Sequence, residues 1–457
     1  MSAVPRHGRH LTRAVGLASL GAVACAAPAP VLAHALGTTY ASRLPLAVYL
    51  AGAAATVALS FLFVLVRDVR AERETVTHTG CRPAAAIRLG LRAIGLLGWA
   101  WIVAQGVAGG SSDADVSTLF LWVYGWVGIA MLSVFVGPVW HFLDPYSTLH
   151  DLGAAVVRRL GIGTWEHAAY PARLGRWPAA LAFALVVWLE LGLRAGPGAL
   201  FVVLVGYTAL TLAMMAQFGR DTWRASGEVF TVLFRLLGRL APNALVDEDG
   251  RIRRRGFAAG LLEPGWSAPD IVIVSLGVGS ILYDGLSQTQ IWFDTFGAPA
   301  LPVQTVLLGG FLAIVIVAGL AVSRVVGLGA TGAGLLPIAA GYLVAHYLTY
   351  LLMDGQRIVI ALSDPLQRGW DLFGTAFHEP TGDWLPPGLV WTVQLAAVVG
   401  GHMLGAWGGH VVAALEAPRD ASGRAVTVRQ IPLAIVMVAL TTLTLWSLGQ
   451  AVVVLME

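Results

Sequence analysis

The sequence contains no lysine, little charge and almost no cysteine. All 29 basic residues are arginine, which excludes a Schiff-base lysine and a lysine general base. Charged residues make up only 12% of the 457 residues, whereas 57% are hydrophobic and the mean hydropathy is +0.74. A soluble globule of this composition would have too little polar surface to cover itself. The composition therefore predicts a protein whose main solvent is lipid.

The N-terminus has the three parts of a secretory signal. Arginines at positions 6, 9 and 13 precede an apolar stretch over 11–27 and the small-residue site Val31-Leu32-Ala33. We predict that residues 1–33 are a cleaved signal peptide and that His34 begins the mature chain. Cysteine occurs only at Cys25 and Cys81, so the mature chain would keep one thiol and form no intramolecular disulfide.

Ten apolar runs are long enough to cross about 30 Å of hydrocarbon. If the first begins at the outer face, 22 of the 26 arginines after residue 33 lie on the cytoplasmic side. Because arginine concentrates in cytoplasmic loops, we predict a multi-pass protein of the cytoplasmic membrane with both mature termini outside. Arginines in short loops report membrane orientation, so the net charge of +3 does not indicate nucleic acid. The ten runs are 44–66, 89–109, 116–137, 177–194, 198–217, 270–288, 302–323, 331–353, 388–412 and 431–455.

Two segments 220 residues apart suggest an internal repeat. The first reads Asp144-Pro145, five residues, Asp151-Leu152, and the second reads Asp364-Pro365, five residues, Asp371-Leu372. Five spans in each half would invert the second copy. We therefore predict an all-α polytopic fold with two inverted five-helix halves, 34–217 and 270–457. The alternative is that Asp-Pro only ends one helix and starts another.

The segment 218–269 between the halves is basic. Residues 226–240 have a helical apolar period with Arg235 and Arg239 on the other side, which is typical of a helix lying in the membrane interface. We expect the basic run Arg251, Arg253, Arg254 and Arg255 to face the anionic leaflet as a solvated anchor.

Polar residues lie on single faces of two predicted spans in the second half. Groups spaced by four residues share one helix face, and ionisable groups in a span usually face the protein interior. An unpaired carboxylate is costly in hydrocarbon, and an imidazole is its natural partner. We therefore predict that Asp284 pairs with His346. The sixth span carries Ser280, Asp284 and Gln288, and the eighth carries Tyr342, His346, Tyr350 and Asp354.

Other polar groups in the spans have structural interpretations. A lone intramembrane histidine often only bridges two helices, which is the interpretation we favour for His410 in the ninth span. Glu190 precedes Arg194 by four residues, a spacing that suits a local ion pair. The ninth span also carries a stripe of small residues that would allow a neighbouring helix to approach closely. The stripe is Gly401, Gly405 and Gly409.

The loop after the eighth span is the longest predicted outer loop, and we expect it to cap a cavity. The chain contains no His-Glu-x-x-His, nucleophile elbow, phosphate-binding glycine loop or paired-cysteine motif, so site residues are assigned from position. Catalytic roles are assigned to Asp284, His346, Asp354 and Arg357. Substrate-binding roles are assigned to Tyr350, Gln356, Asp364, Arg368, Asp371 and His402.

Several distinctive phrases occur across most of the mature chain. They include His34-Ala35-Leu36-Gly37, Gly137-Pro138-Val139-Trp140, Gly175-Arg176-Trp177-Pro178, Trp188-Leu189-Glu190, Tyr283-Asp284-Gly285, Ala345-His346-Tyr347 and Ser363-Asp364-Pro365-Leu366. In these phrases the chain resembles a family of bacterial integral membrane proteins labelled fenitrothion hydrolase. The resemblance implies hydrolysis of an organophosphate triester at the membrane, but it carries over no established catalytic motif. The chain departs from it at Asp144-Pro145, where the resemblance leads us to expect Asn-Pro.

Three functions remain open from the sequence. As a hydrolase, the protein would admit an apolar ester, with Asp284 or His346 activating water and an arginine stabilising charge on phosphorus. As a secondary transporter, it would bind substrate or a coupling proton between inverted halves. As a metal-handling protein, it would bind copper or another divalent metal through the free amine and imidazole of His34, with His346 or His378 as a further ligand.

Overall fold

The computed structural model describes residues 80–109, 115–161, 167–417 and 423–448, which are mostly helical. Within these residues the only sheet is a two-stranded antiparallel hairpin, β1 Asn243–Leu245 and β2 Ile252–Arg254. In chain order the helices are α1 Ala85–Ala108, α2 Val116–Phe135, α3 Val139–Leu143, α4 Pro145–Arg159, α5 Trp177–Gly192, α6 Pro197–Phe218, α7 Arg220–Ser226, α8 Val229–Leu237, α9 Ala268–Ser287, α10 Gln290–Phe296, α11 Leu301–Val326, α12 Leu328–Ser363, α13 Pro387–Glu416, α14 Gly423–Arg429 and α15 Ile431–Leu448.

Seven of these helices are long and apolar enough to cross a membrane, namely α1, α2, α6, α9, α11, α12 and α13. Two shorter apolar helices, α5 and α15, add to them. The predicted second to tenth spans coincide with these nine helices, so the prediction of an all-α multi-pass membrane protein is confirmed. The signal peptide, His34 and the first predicted span lie outside the described residues, and the total of ten spans stays a prediction.

Local sequence explains where the central helix α9 begins. Ser267 and Asp270 form a capping box, in which the Asp270 carboxylate accepts hydrogen bonds from the backbone N–H and the hydroxyl of Ser267. This exchange satisfies N–H groups that a helix start would leave without partners. Pro269 occupies the first turn, where its missing N–H costs nothing.

The core of the bundle is formed around α12. This helix is buried along most of its length and packs against α2, α9, α13 and α15. By contrast, α1 and α6 expose apolar side chains such as Leu89, Leu97 and Val202. Outward-facing apolar residues are expected where lipid replaces water as the solvent.

The contact between α12 and α13 depends on glycine. A Cβ atom at Gly405 would lie 2.3 Å from the carbonyl oxygen of Gly334, and one at Gly401 would lie 2.5 Å from that of Pro337. A Cβ at Gly341 would lie 2.3 Å from the carbonyl oxygen of Ala397. The predicted stripe of small residues on the ninth span therefore allows close approach of the neighbouring helix, as in other membrane helix pairs.

We expect Gly405→Ala to lower the free energy of unfolding by about 1–3 kcal/mol, because the added methyl group meets helix backbone rather than a movable side chain. Gly400→Ala, on the same helix, is the matched control, because a Cβ at Gly400 has no atom within 4 Å. Unfolding of both variants in mixed detergent micelles measures the difference. Equal stability of the two variants would contradict the close approach.

The helix predicted to lie in the membrane interface, α8, is instead buried within the protein. Its apolar residues, among them Val232, Leu233 and Phe234, belong to the main hydrophobic core. The basic run that follows is also not simply a solvated anchor. Arg253 and Arg255 both pair with Glu263, at 2.6 and 2.7 Å. The interpretation of α8 as a helix in the membrane interface was wrong, because an amphipathic pattern does not reveal whether lipid or protein covers the apolar side. Arg251 and Arg254 of the basic run are exposed, and their contact with the anionic leaflet stays a prediction.

A buried ionic cluster joins α3 and α4 to α7 and β1–β2. Asp144 caps α4 by accepting hydrogen bonds from the backbone N–H groups of Tyr146 and Ser147. Its Oδ2 lies 3.3 Å from Nε of Arg224, and the two side chains are 0% and 2% exposed. Arg224 also donates to Glu248 at 3.2 Å and to Nδ1 of His141 at 3.0 Å. Because a guanidinium only donates, the His141 nitrogen must accept, so the imidazole is neutral.

This arrangement predicts loss of stability in acid. Burial, together with the charges of Arg224 and Arg235, lowers the pKa of His141 to about 3, whereas the pKa in the unfolded chain is about 6.5. As the pH falls below about 6.5, the unfolded chain binds a proton that the folded protein does not. The free energy of unfolding therefore decreases until the pH reaches about 3. Linkage gives a loss of about 2 kcal/mol between pH 7 and pH 5.

His141→Asn keeps an oxygen acceptor for Arg224 but does not titrate. We therefore expect its unfolding free energy to fall less than that of the wild-type protein between pH 7 and pH 5, by about the same 2 kcal/mol. Denaturation curves at the two pH values measure this. Identical pH dependence in the variant and the wild type would contradict the assignment.

Candidate functional site

The centre of the candidate site is the contact between α9 and α12. Nε2 of His346 and Oδ2 of Asp284 are 2.9 Å apart, and the side chains are 14% and 17% exposed. The same Oδ2 accepts a hydrogen bond from the Tyr347 hydroxyl at 3.2 Å, and Oδ1 accepts one from the Gln288 amide at 2.8 Å. The predicted pairing of Asp284 with His346 is confirmed, while their chemical roles stay predictions.

A carboxylate that accepts three hydrogen bonds is well suited to be ionised inside an apolar bundle. Gln288 reaches Asp284 from one turn further along the same helix, as the four-residue spacing predicts. His346 and Tyr347 come from the other helix. Tyr347 was not among the predicted site residues. Only residues spaced by four were assigned to the site face, and Tyr347 directly follows His346 in the sequence.

Glu190 is the site residue that sequence reasoning missed. It lies in α5, in the π-helical turn Trp188–Gly192, and its carboxyl group is beside the Tyr347 hydroxyl and near Asp284. Its Oε2 is buried and receives no hydrogen bond from the part of the chain that the structure describes. π-Helical turns are rare and often occur at functional sites.

The predicted ion pair between Glu190 and Arg194 is not formed within the described residues. Arg194 has a left-handed backbone conformation with φ of 50°, so the helix ends before it and the four-residue spacing no longer brings the two side chains together. The available signal was that Glu190 is the only acidic residue in the fourth predicted span. Intramembrane carboxylates are functional candidates by default. This rule predicts Glu190 as a site residue, whereas the four-residue spacing predicted only an ion pair with Arg194.

The other predicted catalytic residues lie further along α12. Asp354 follows His346 by eight residues, about 12 Å along a helix, and pairs with Arg357 at 3.2 Å. Both side chains are more than one-third exposed. Tyr350 lies between the two groups, with its ring 6.2 Å from that of Tyr347. The structure therefore brings Tyr350 towards the site but pairs Asp354 and Arg357 with each other.

Four of the predicted substrate-binding residues, at the end of α12 and in the loop after it, make hydrogen bonds that stabilise this loop. Gln356 donates to the carbonyl oxygen of Thr381 at 3.0 Å, and Asp364 accepts from the backbone N–H groups of Arg368 and Gly369. Arg368 donates to the carbonyl oxygen of Ala108, at the end of α1. Asp371 accepts from Ser363 and from the backbone N–H of Ala376. These contacts do not bring the four side chains to Asp284, so their assignment as substrate ligands has no support in the geometry.

The two histidines of α13 lie between helices. Nδ1 of His402 is 2.9 Å from the hydroxyl of Thr441, and Nδ1 of His410 is 3.0 Å from the amide oxygen of Gln430. The bridging interpretation of His410 is confirmed. His402, predicted to bind substrate, makes the same kind of contact and does not reach the Asp284–His346 pair.

A small cavity lies next to the pair. Its volume is about 130 Å³, and its lining includes Arg194, Tyr283, Gln288, Trp292 and Gln304. Gln288 belongs to this lining and also donates a hydrogen bond to Asp284. One amide group therefore separates the cavity from the carboxylate. Sequence spacing did not predict this cavity, because its lining comes from three different segments.

In the described ranges no group of three or more histidine, cysteine, aspartate or glutamate side chains is placed to hold a metal ion. His34, the ligand proposed for copper, lies outside those ranges. His378 lies in the loop between α12 and α13, and His346 is engaged with Asp284.

Comparison with known proteins adds no further constraint: no family model, no curated protein and no solved structure matches this chain.

Proposed function

We propose that the protein is a secondary transporter that couples movement of a small solute to a proton carried by Glu190, Tyr347, Asp284 and His346. The observation that supports this most directly is that carboxyl groups from α5 and α9 meet around one tyrosine hydroxyl inside the bundle. Chains of acidic residues and histidine within membrane spans are typical of proton relays in pumps and transporters.

Hydrogen bonding gives the two carboxyl groups different roles in this proposal. Asp284 accepts three hydrogen bonds and is the ionised member. Glu190 lies beside a tyrosine whose only hydroxyl hydrogen points to Asp284, so it carries the proton and can donate to the tyrosine oxygen. In the relay, Glu190 gives its proton to the Tyr347 oxygen while the Tyr347 hydroxyl gives its own proton to Asp284. Glu190 is then ionised and Asp284 is neutral, still bound to the Nε2–H of His346.

The inverted repeat belongs to the same proposal. Glu190 is in the first predicted half and Asp284 with His346 is in the second, as expected of a site at the interface of two halves. Asp144 and Asp364 both accept hydrogen bonds from backbone N–H groups that follow them. The segments after them differ, since α4 follows Asp144 whereas a loop follows Asp364.

Reconstitution in liposomes with a trapped pH-sensitive dye tests the transport function. A panel of organic acids, amino acids, sugars and amines would be added outside, and one class should drive proton movement in wild-type liposomes. Glu190→Gln should abolish that movement, whereas Glu379→Gln in the outer loop should not. Proton movement that survives Glu190→Gln would refute the role of the relay.

The orientation predicted from the arginines can be tested with natural and introduced thiols. Cys81 is exposed and lies in a predicted cytoplasmic loop, so a membrane-impermeant maleimide should not label it in intact cells. Asp383→Cys, placed in a Cys81→Ser background, lies in the predicted outer loop and should be labelled. The opposite result would reverse the topology.

A second candidate function is ester hydrolysis, which the sequence resemblance implies. The observation that favours it is that His346 uses one ring nitrogen on Asp284 while its side chain remains 14% exposed. The second nitrogen would then activate water as a general base. Release of 4-nitrophenol from a phosphotriester by purified protein, lost in His346→Ala, would support hydrolysis. No release from wild-type protein would contradict this second candidate function.

A further inference from the structure

A second polar cavity lies at the opposite end of α9 from Asp284. Asp270 lies in the first turn of α9 and accepts a hydrogen bond from Arg176, which lines the cavity. The 14 residues from Asp270 to Asp284 span about 21 Å. The cavity has a volume of about 270 Å³ and lies between α3, α8 and β1–β2. Five arginines and three carboxylates line it: Arg176, Arg224, Arg235, Arg239, Arg255, Asp247, Glu248 and Glu263.

The carboxylates in this lining are shared between arginines. Glu248 accepts from Arg224 at 3.2 Å and from Arg235 at 2.6 Å. Glu263 accepts from Arg255 at 2.7 Å and from Arg253 at 2.6 Å. Each glutamate therefore has two arginine partners. Arg176 and Arg224 also pair with Asp270 and Asp144, which do not belong to the lining. The lining itself holds five arginines against three carboxylates.

Arg239 has no carboxylate partner among the described residues. It donates to the carbonyl oxygens of Gly260, Glu263 and Pro264 and lies 4.2 Å from the centre of the Trp266 ring. Burial lowers the pKa of Arg239 to about 10. The nearby carboxylates Glu263 and Asp270 raise this pKa, whereas the positive charges of Arg176 and Arg255 lower it further. Since burial is the main cause, Arg239 is a cation held away from water without a carboxylate hydrogen-bonded to it.

Arg224 also lines the cavity. Its buried Nε faces Asp144 at 3.3 Å, and its two Nη atoms bind Glu248 and His141. Arg224 therefore contributes positive charge to the wall rather than a free donor. Planar guanidinium groups bind phosphate oxygens in pairs of parallel hydrogen bonds. A cavity lined by five guanidinium groups therefore has the donors and the charge to bind a phosphate group.

We propose that this cavity binds a phosphate group, with Arg235 and Arg239 as its principal ligands. The group is either a free phosphate or the headgroup of an anionic phospholipid, since both present the same tetrahedral anion. The site is separate from the Asp284–His346 pair and does not depend on the transport proposal.

Two arms of one experiment distinguish the sources. Delipidated protein in detergent is titrated with inorganic phosphate, and the midpoint of thermal unfolding is followed. The same preparation is mixed with phosphatidylglycerol or phosphatidylcholine, and bound lipid is counted by native mass spectrometry. We expect stabilisation by phosphate, or retention of phosphatidylglycerol over phosphatidylcholine, and either result supports the site.

The glutamates supply a matched pair of variants. Arg235→Gln leaves Glu248 paired with Arg224, and Arg253→Gln leaves Glu263 paired with Arg255, but Arg253 does not line the cavity. We expect affinity to fall about tenfold in Arg235→Gln, from loss of one charge-assisted hydrogen bond, and to remain unchanged in Arg253→Gln. Arg239→Gln, which leaves no carboxylate unpaired, should weaken binding to the same degree if Arg235→Gln does not fold. Absence of binding in both arms, or equal loss in Arg253→Gln, would overturn the proposal.

Discussion

His346→Ala is expected to abolish activity while leaving the fold intact. The imidazole is bound to Asp284 at 2.9 Å. Its loss removes this group from the proton path but leaves Asp284 with hydrogen bonds from Tyr347 and Gln288. In the liposome assay we expect proton movement to fall to the background of empty liposomes. If the protein is a hydrolase, the rate should fall about 100-fold or more, as for loss of a general base.

A matched control for this site is an aspartate with the same local contact but no histidine. Asp294 accepts from Gln290 at 2.8 Å, at the four-residue spacing by which Asp284 accepts from Gln288, and it is exposed. We expect Asp294→Asn to keep full activity and Asp284→Asn to lose it. A folded, fully active His346→Ala protein would remove the mechanism, whichever reaction the protein performs.

Asp144→Ala is expected to cause the largest loss of stability. It removes the cap of α4 and leaves Arg224 buried next to an empty space, with Glu248 as its remaining carboxylate partner. Breaking a buried ion pair from one side costs about 3–5 kcal/mol, because the remaining charge stays desolvated. Unfolding in mixed detergent micelles measures the difference from the wild-type protein.

The comparison for Asp144 is an exposed pair. Asp249 and Arg82 are 2.6 Å apart, but their side chains are 73% and 43% exposed. Water and salt screen such a pair, so Asp249→Ala should change the unfolding free energy by less than about 1 kcal/mol. If the two substitutions change the unfolding free energy by similar amounts, burial does not make the Asp144–Arg224 pair more important for stability than an exposed pair.

Much of the fold follows from the sequence because a bilayer imposes simple rules. A helix that crosses hydrocarbon must be apolar over a fixed length, and nine of the predicted spans coincide with apolar helices. The same rules identified Asp284 and His346, because charge at membrane depth is rare and needs a partner. The glycine stripe of α13 was also readable, since small residues at four-residue spacing mark close helix contacts.

Other features needed the tertiary structure. The amphipathic pattern of α8 is the same whether lipid or protein covers it, and only packing shows that Phe234 and its neighbours enter the core. Asp354 follows the same spacing as His346, yet it pairs with Arg357. Spacing along one helix shows which face a residue lies on, but not which side chains of other helices lie at the same depth.

The sequence by itself determined the solvent, the helices and the pairing of Asp284 with His346, because hydropathy and charge act locally along the chain. Only the tertiary structure showed that Glu190 lies near Tyr347 and Asp284 and that Arg239 and four other arginines line one cavity. Both depend on side chains from segments distant in sequence. Contacts of that kind are set by how the helices pack, and no spacing within one helix contains them.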